Sequence, residues 1–311
     1  MPSRLDRYHG ALLGLAAGDA LGTTLEFKSK GSFAPIDDMV GGGPFGLKPG
    51  QWTDDTSMAL CLAESLAELE TFDPSDQMTR YVRWWREGHW SSTGRCFDIG
   101  NTVADALRRF EQSRDPMAGR TDPNTAGNGS LMRLAPVPMR YAADPAEAVR
   151  LAVESSRTTH AAAEAVDACR YFSALIVGAL DGRTKTDLLS PHFAPPGVDW
   201  SAAPLASAIA RIADGSYKNK TAQSIRASGY VVHTLEAALW AFAHSDDFRE
   251  GALLAVNLGE DADTTGAVYG QLAGAYYGVE GVPDAWRKRV ARGDDIIRLA
   301  TVLFEGAARQ A

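Results

Sequence analysis

Cysteine is scarce in this chain: Cys61, Cys96 and Cys169 are odd in number, widely separated and in no CxxC pair. That spacing supports neither a disulfide framework nor a zinc knuckle, and a reducing cytoplasm is the expected compartment. No segment approaches the roughly 20 uninterrupted apolar residues of a membrane span. The N-terminal residues lack the basic, apolar and small-residue succession of a secretory leader, so neither secretion nor membrane insertion is expected. Positive charge is in deficit, with 31 Lys and Arg against 39 Asp and Glu and a net charge of −8. Such a surface has no general attraction for nucleic acid or anionic lipid. Also missing are HExxH spacing, a GxSxG elbow, a Cys-His arrangement, a dinucleotide fingerprint and a phosphate-binding P-loop, which removes the usual support for zinc hydrolases, acyl transfer and nucleotide binding of those types. Strand-like alternation is almost absent.

What is present is the composition of a helical globular protein, 311 residues of which 45% are hydrophobic and 23% charged. Helical spacing of apolar residues predicts helices over Tyr8 to Gly22, over the run after Asp55 that carries Met58, Leu62, Leu66 and Leu69, over Met78 to Trp85, and over Asn101 to Phe110. Alanine-rich helical patterns follow at Ala146 to Ser155, Ala161 to Leu180, Pro204 to Ala213 and Tyr230 to Ala243. Leu131 to Leu134 begins an apolar run that Pro136 and Pro138 are expected to cut short. Residues 189–200, which contain proline, read as the longest non-helical stretch. There is no repeat and no linker, and the chemistry-bearing groups are spread from Glu26 to Thr264, so one all-α domain over residues 1–311 is expected.

Glycine is placed with a period. Gly10, Gly14, Gly18 and Gly22 fall on one helix face, and Gly266, Gly270 and Gly274 repeat the device. Each glycine costs a helix roughly 0.5–1 kcal/mol relative to alanine, so such stripes point to close backbone approach and a buried, tightly packed helix pair. The segment Gly41-Gly42-Gly43-Pro44-Phe45-Gly46 is a loop, because this density of glycine and proline defeats helix and strand alike.

Two acid-rich groups carry the chemistry. Thr53-Asp54-Asp55-Thr56 and Gly259-Glu260-Asp261-Ala262-Asp263-Thr264-Thr265-Gly266 set carboxylates and hydroxyls just ahead of helical runs. Hard oxygen donors suit Mg²⁺, Mn²⁺ or Ca²⁺ better than zinc. N-capping explains either group taken alone, whereas two such groups in one chain favour metal. Asp261 and Asp263 reach one ion cluster only from the turn entering a helix, since inside a helix they would diverge. Asp98, in the polar loop 91–100, is either the N-cap of the next helix or a functional acid. The turn Thr125-Ala126-Gly127-Asn128-Gly129-Ser130 offers backbone amides suited to phosphate, or is a plain turn. His160, ahead of an alanine-rich helix, is a single histidine open to a structural or a functional role.

In order along the chain, Gly18-Asp19-Ala20-Leu21-Gly22, Glu26, Trp52-Thr53-Asp54-Asp55-Thr56, Gly127-Asn128-Gly129-Ser130 with Met132-Arg133, His160 and the group at 259–266 resemble the ADP-ribosylglycohydrolases, nearest to their bacterial dinitrogenase-reductase-activating branch. The resemblance covers nearly the whole chain. It implies a compact orthogonal helical bundle with two Mg²⁺ or Mn²⁺ ions at the bottom of a cleft, and hydrolysis of the N-glycosidic bond between ADP-ribose and a protein arginine. Under it Thr53, Asp54, Asp55, Asp261, Asp263 and Thr264 would be ligands, with Asp263 shared and Glu26 beside the ions. Gly127, Asn128, Gly129, Ser130 and His160 would hold pyrophosphate and ribose, Tyr230 the nucleotide end, and Asp98 would be the acid of arginine-specific members. Two ions about 3.5–4 Å apart can fix two ribose hydroxyls and activate a water, and Glu26 or Asp98 can transfer the proton. The partner would be an ADP-ribosylated protein. The alternatives are O-linked ADP-ribose on serine or in a short polymer, a small ADP-ribosyl metabolite, and a catalytically silent ADP-ribose-binding module.

Overall fold

The computed structural model describes residues 2–309 apart from residue 70. Its helices are α1 (Arg4–Gly22), α2 (Asp54–Leu69), α3 (Pro74–Glu87), α4 (Asn101–Ser113), α5 (Pro136–Arg140), α6 (Pro145–Arg157) and α7 (Ala163–Leu180). They continue with α8 (Lys185–Leu188), α9 (Ser207–Ala213), α10 (Val231–Ala243), α11 (Phe248–Val256), α12 (Ala262–Tyr277), α13 (Asp284–Arg289) and α14 (Gly293–Ala308). Among the described residues the only β pairings are three isolated bridges, so the all-α expectation holds. No described helix is long and apolar enough to cross a membrane.

The centre of the molecule is the antiparallel pair α1 and α12, both buried along nearly their whole length. Their glycine stripes face each other in register. A Cβ on Gly10 would lie 2.2 Å from the Gly274 oxygen, on Gly14 2.5 Å from that of Gly270, on Gly18 2.0 Å from that of Gly266, and on Gly22 2.3 Å from that of Ala262. Backbone therefore touches backbone over three turns, with no room for a methyl group. The remaining faces are apolar, and the core they anchor extends from Tyr8 to Ala307. Because the helices run oppositely, the end of α1 meets the start of α12, which brings Glu26 beside Asp261 to Asp263.

Two expectations change. Pro136 and Pro138 do not merely end the run from Leu131: they sit at the first and third positions of the short helix α5, where the missing proline N–H groups are unneeded and the fixed φ suits helical geometry. The longest non-helical stretch is not 189–200, since residues 26–53 contain no helix of any kind. That segment crosses from the end of α1 to the start of α2 and includes the glycine loop at 41–46.

Gly270→Leu should destabilise the protein by about 1–3 kcal/mol or more through overpacking. The midpoint of urea unfolding measures it, and an unchanged midpoint would mean that the two backbones are not in contact.

Candidate active site

The two acid groups meet at the N-termini of α2 and α12. Within α12 the Thr264 N–H donates to Asp263 Oδ1 at 2.8 Å, but other terminal N–H groups of both helices find their acceptors on α1 and the turn after it. Asp19, in the last turn of α1, accepts at Oδ1 from the Thr53 N–H (2.9 Å) and hydroxyl (3.0 Å), and at Oδ2 from the Thr56 N–H (3.0 Å) and hydroxyl (2.6 Å). Glu26 Oε2 accepts from the Ala262 N–H at 2.9 Å. Side chains supplied by α1 and the turn after it thus accept from orphan donors at the start of both helices. Asp261 makes no side-chain cap bond. Capping therefore does not account for Asp54, Asp55 and Asp261, and it engages only Oδ1 of Asp263, leaving Oδ2 to face Thr53.

The two acid groups face one another closely. Thr53 Oγ1 lies 3.1 Å from Asp263 Oδ2 and 3.5 Å from Asp55 Oδ2, and the Thr264 hydroxyl lies 3.3 Å from Asp55 Oδ1. Oxygens of Glu26, Asp261 and Asp263 fall within 4.8 Å of one another, as do those of Asp19, Asp55 and Asp263. These clusters could hold metal, and their donors are all oxygen, as hard divalent cations require. Asp19 already takes two hydrogen bonds on each oxygen, so we regard it as a brace for the second cluster rather than a ligand. The electrostatics are those of anions without a counter-charge. Burial and then the neighbouring Asp263 hold Asp54, Asp55 and Glu26 well above the ordinary carboxylate range. Asp261 is pushed up to about 7 by burial and Asp263, against the opposing hydrogen bond from Asn128. Asp98 is pushed up to about 11 by burial, then by Asp54 and Asp263. Helix N-termini soften this crowding by only about 1–2 kcal/mol, far less than a divalent ion supplies.

Above the clusters opens a cleft of about 390 Å³, lined among others by Glu26, Asp54, Asp98, Gly127, Asn128, Gly129, His160, Asp261, Asp263 and Thr264. Thr53 and Asp55 lie beneath its floor, both fully buried. Asp98 is not an N-cap, because that position of α4 belongs to Gly100. Its left-handed φ of 61° and partial burial set it on the cleft wall. Asn128 ties the glycine turn to the acids by donating from Nδ2 to Asp261 (2.8 Å) and to the Thr234 hydroxyl (2.9 Å). Within the turn the Gly127 and Asn128 amides are engaged by Thr125 and Gly229 carbonyls, while those of Gly129 and Ser130 have no partner among the described residues. The His160 ring packs against this turn: a Cβ on Gly129 would come within 2.8 Å of it.

Ser130 and Tyr230 are not brought to the cleft lining. The Ser130 side chain is buried and accepts from the Ser156 hydroxyl at 2.9 Å. Tyr230 caps α10, pairs through an isolated bridge with Gly127, and donates its hydroxyl to Glu164.

Sequence reasoning missed Asp19 as a functional residue, though it stands alone as an acid among Gly, Ala and Leu in a helix buried on all sides. It also missed what lies behind His160. Arg133, fully buried, donates to the Gly129 carbonyl (2.6 Å) and to the hydroxyls of Thr158 (3.1 Å) and Thr159 (2.8 Å), with Tyr81 4.7 Å away against its guanidinium. The Thr159 hydroxyl meets His160 Nδ1 at 2.9 Å and donates to it in the tautomer that carries the ring hydrogen on Nε2. That arrangement leaves Nε2 as the ring N–H, a donor beside the turn. Burial, followed by the Arg133 charge, pushes the His160 pKa down to about 3, so the ring stays neutral.

Asp261 binds a proton in the folded chain over a pH range in which the unfolded chain does not, so the stability of chelator-treated protein should fall as pH rises from about 4 to about 7. Mn²⁺ should raise Tm, and more so at the upper end of that range. A Tm indifferent to both would sink the reading of these acids as an uncompensated cluster.

The chain matches the ADP-ribosylglycohydrolase family over residues 1–311. It is 46% identical to an ADP-ribosylarginine hydrolase, Tri1, of Pseudomonas putida (strain GB-1), over 97% of this chain and 79% of that protein. It is 34% identical to the ADP-ribosyl-[dinitrogen reductase] glycohydrolase of Rhodospirillum rubrum, over 93% of this chain and 92% of that one. A solved structure described as an ADP-ribosylglycohydrolase-related protein complex superposes with a TM-score of 0.86 at 46% identity, covering 98% of this chain and 99% of the other. An all-α fold, a cleft floored by carboxylates from two helix N-termini, and a family match over the full length agree: the chain belongs to the ADP-ribosylglycohydrolase family.

Proposed function

We propose that this protein is a divalent-cation-dependent hydrolase that cleaves the N-glycosidic bond between ADP-ribose and an arginine side chain of a modified protein, working as one catalytic unit over residues 1–311 in a reducing cytoplasm. The observation that carries this reading is the position of Asp98, an acid outside the two metal-type groups that nevertheless overlooks them in the same cleft. Relatives 46% and 42% identical to the chain are named ADP-ribosylarginine hydrolases, which supports the choice of linkage.

Thr53, Asp54, Asp55, Asp261, Asp263 and Thr264 are the residues that would hold two Mg²⁺ or Mn²⁺ ions, Asp263 being common to both oxygen clusters. Such ions supply Lewis acidity toward ribose hydroxyls and a more acidic water. The chain's own groups do the rest. Asp19 holds Thr53 and Thr56 in place, Asn128 orients Asp261, and Glu26 keeps the first turn of α12 against the end of α1. The unpartnered amides of Gly129 and Ser130 and the Nε2 hydrogen of His160 suit phosphate or ribose oxygens. The carboxylates stabilise the positive charge that builds on the sugar as the C1–N bond breaks. Water adds to the anomeric carbon, the bond to the guanidine nitrogen breaks, and a proton is delivered to that nitrogen, giving free ADP-ribose and arginine. Asp98 is the group we assign to hold the guanidinium and assist that proton, because a carboxylate matches its planar pair of N–H donors. A silent binding module would have no use for so many buried acids.

Asp98→Asn should reduce turnover of an ADP-ribosyl-arginine peptide by orders of magnitude while retaining Mn²⁺ and nearly normal ADP-ribose affinity, both measurable by calorimetry. Wild-type cleavage of a serine-linked peptide in preference to the arginine-linked one would overturn the linkage, and full activity of Asp98→Asn would overturn the role of Asp98.

A further inference from the structure

The metal-type acids and the glycine turn leave one feature of the cleft without a use. Phe27 is 67% exposed, the most exposed large apolar side chain among the described residues, and it lines the cleft directly after Glu26. Its backbone is left-handed, φ 61°, a conformation costly for a residue with a Cβ, and it is held there by an N–H bond to the Glu260 carbonyl at 2.8 Å. An exposed phenyl ring on a backbone held in so costly a conformation is not a by-product of core packing.

Phe27 does not stand alone. Its ring meets that of Phe45 edge-on at 6.2 Å, and Phe45 in turn meets Phe97 at 5.2 Å. Phe97 directly precedes Asp98. Glu26, a member of the first oxygen cluster, and Asp98, on the cleft wall, are thus each chain neighbours of a phenylalanine, and Phe45 bridges the two rings. Phe45 comes from the glycine loop at 41–46, whose four glycines all have positive φ. The loop is closed by reciprocal bonds between Gly42 and Leu47 (2.7 and 2.9 Å) and tied to the end of α1 by the Thr24 hydroxyl on the Gly41 carbonyl (2.9 Å). It resembles no nucleotide-binding motif, and its product is a ring placed between two others. Val40, immediately before it, is also exposed.

Of the three rings Phe27 lines the cleft, with half-buried Phe45 and Phe97 packed behind it edge-on and tilted, and a phenyl face beside carboxylates recognises a planar, delocalised cation. Guanidinium stacks on aromatic faces while its edge N–H groups reach an acid, and its propyl stem covers apolar surface. The glycine turn and His160 reach the acid cluster from another direction, through Asn128 on Asp261. We propose that Phe27, Phe45 and Phe97 form an aromatic shelf that receives the arginine side chain of the modified protein and so sets the acceptor specificity of the enzyme. This rests on the arginine-linked reading above and adds to it the surface that tells one acceptor from another.

The test replaces Phe27 by Ala, by Leu, which keeps apolar bulk without a π face, and by Tyr, which keeps the ring. On an ADP-ribosyl-arginine peptide, the Ala and Leu variants should show a KM raised about tenfold with kcat little changed, and Tyr should restore it. The Kd for free ADP-ribose should stay at the wild-type value in all three, and Tm confirms folding. Agmatine, a small guanidinium compound, gives a readout independent of turnover: its saturation-transfer NMR signal with the wild type should be lost in the Ala variant. Unchanged KM and agmatine binding in the Ala variant would overturn the shelf while leaving the arginine linkage standing. A weakened ADP-ribose Kd in Ala and Leu would also overturn it, by showing that the rings stack on adenine. Wild-type failure to cleave the arginine peptide strikes instead at the linkage, and the agmatine signal still decides the shelf.

Discussion

Everything in the site depends on the contact between α1 and α12, where peptide groups of facing glycines touch with no side chain between them. A helix pair separated by ordinary side chains sits 8–10 Å apart; this one is closer, and the closeness is what lets a carboxylate on one helix end serve the other. Glu26 can accept from the Ala262 N–H only because Gly22 lies against Ala262. Asp19, three residues before Gly22, projects toward α2 and holds the turn containing Thr53 and Thr56. The glycines lower the intrinsic stability of both helices, and the fold offsets that loss by burying them in an extensive apolar core.

The electrostatic consequence is a division of labour among acids. Asp19 and Glu26 bond helix-terminal N–H groups, and by doing so free Asp54, Asp55, Asp261 and the Oδ2 oxygen of Asp263 from local duty. The released carboxylates crowd, and the charges acting on them are largely one another's. Asp98 feels the same field from the cleft wall. Behind His160 lies a positive charge: Arg133, buried with carbonyl and hydroxyl partners, orients Thr159 and adds to the burial that keeps His160 neutral. The cleft therefore presents acids on its floor and neutral donors near its glycine turn, an asymmetry suited to a ligand whose ends differ in charge.

Much of this was legible in the sequence, and for reasons that can be stated. A glycine every fourth residue has a clear cost and one plausible use, so the α1 and α12 pairing could be read from spacing. The acid groups announced themselves by density. What escaped were relations set by tertiary geometry. Asp19 carries no local signal beyond being charged in an apolar helix, because its partners are on a different element. The local-capping alternative for the acid groups was chemically sound, and it lost ground because acceptors elsewhere, Asp19 and Glu26, took much of that role. Ser130 and Tyr230 belong to segments that border the cleft, yet the turn directs Ser130 inward to Ser156 and the start of α10 directs Tyr230 to Glu164. Pro136 shows the ambiguity of proline, which ends one run and begins another.

The close contact of α1 and α12 also sets what kind of adjustment the site can make. Side chains at an ordinary helix interface change rotamer and let the helices slide by fractions of an ångström, but glycines have no rotamers to exchange. The stripes interlock with a repeat of about one helical turn, so the next equivalent register is roughly 5.4 Å away. Between those two registers the peptide oxygens of one helix would ride over the Cα atoms of the other. The frame that holds Asp19, Glu26 and the start of α12 is accordingly a detent rather than a slide. Accommodation of ligands of different size falls to the torsions of Asp98 and Asp261 and to the loops around them.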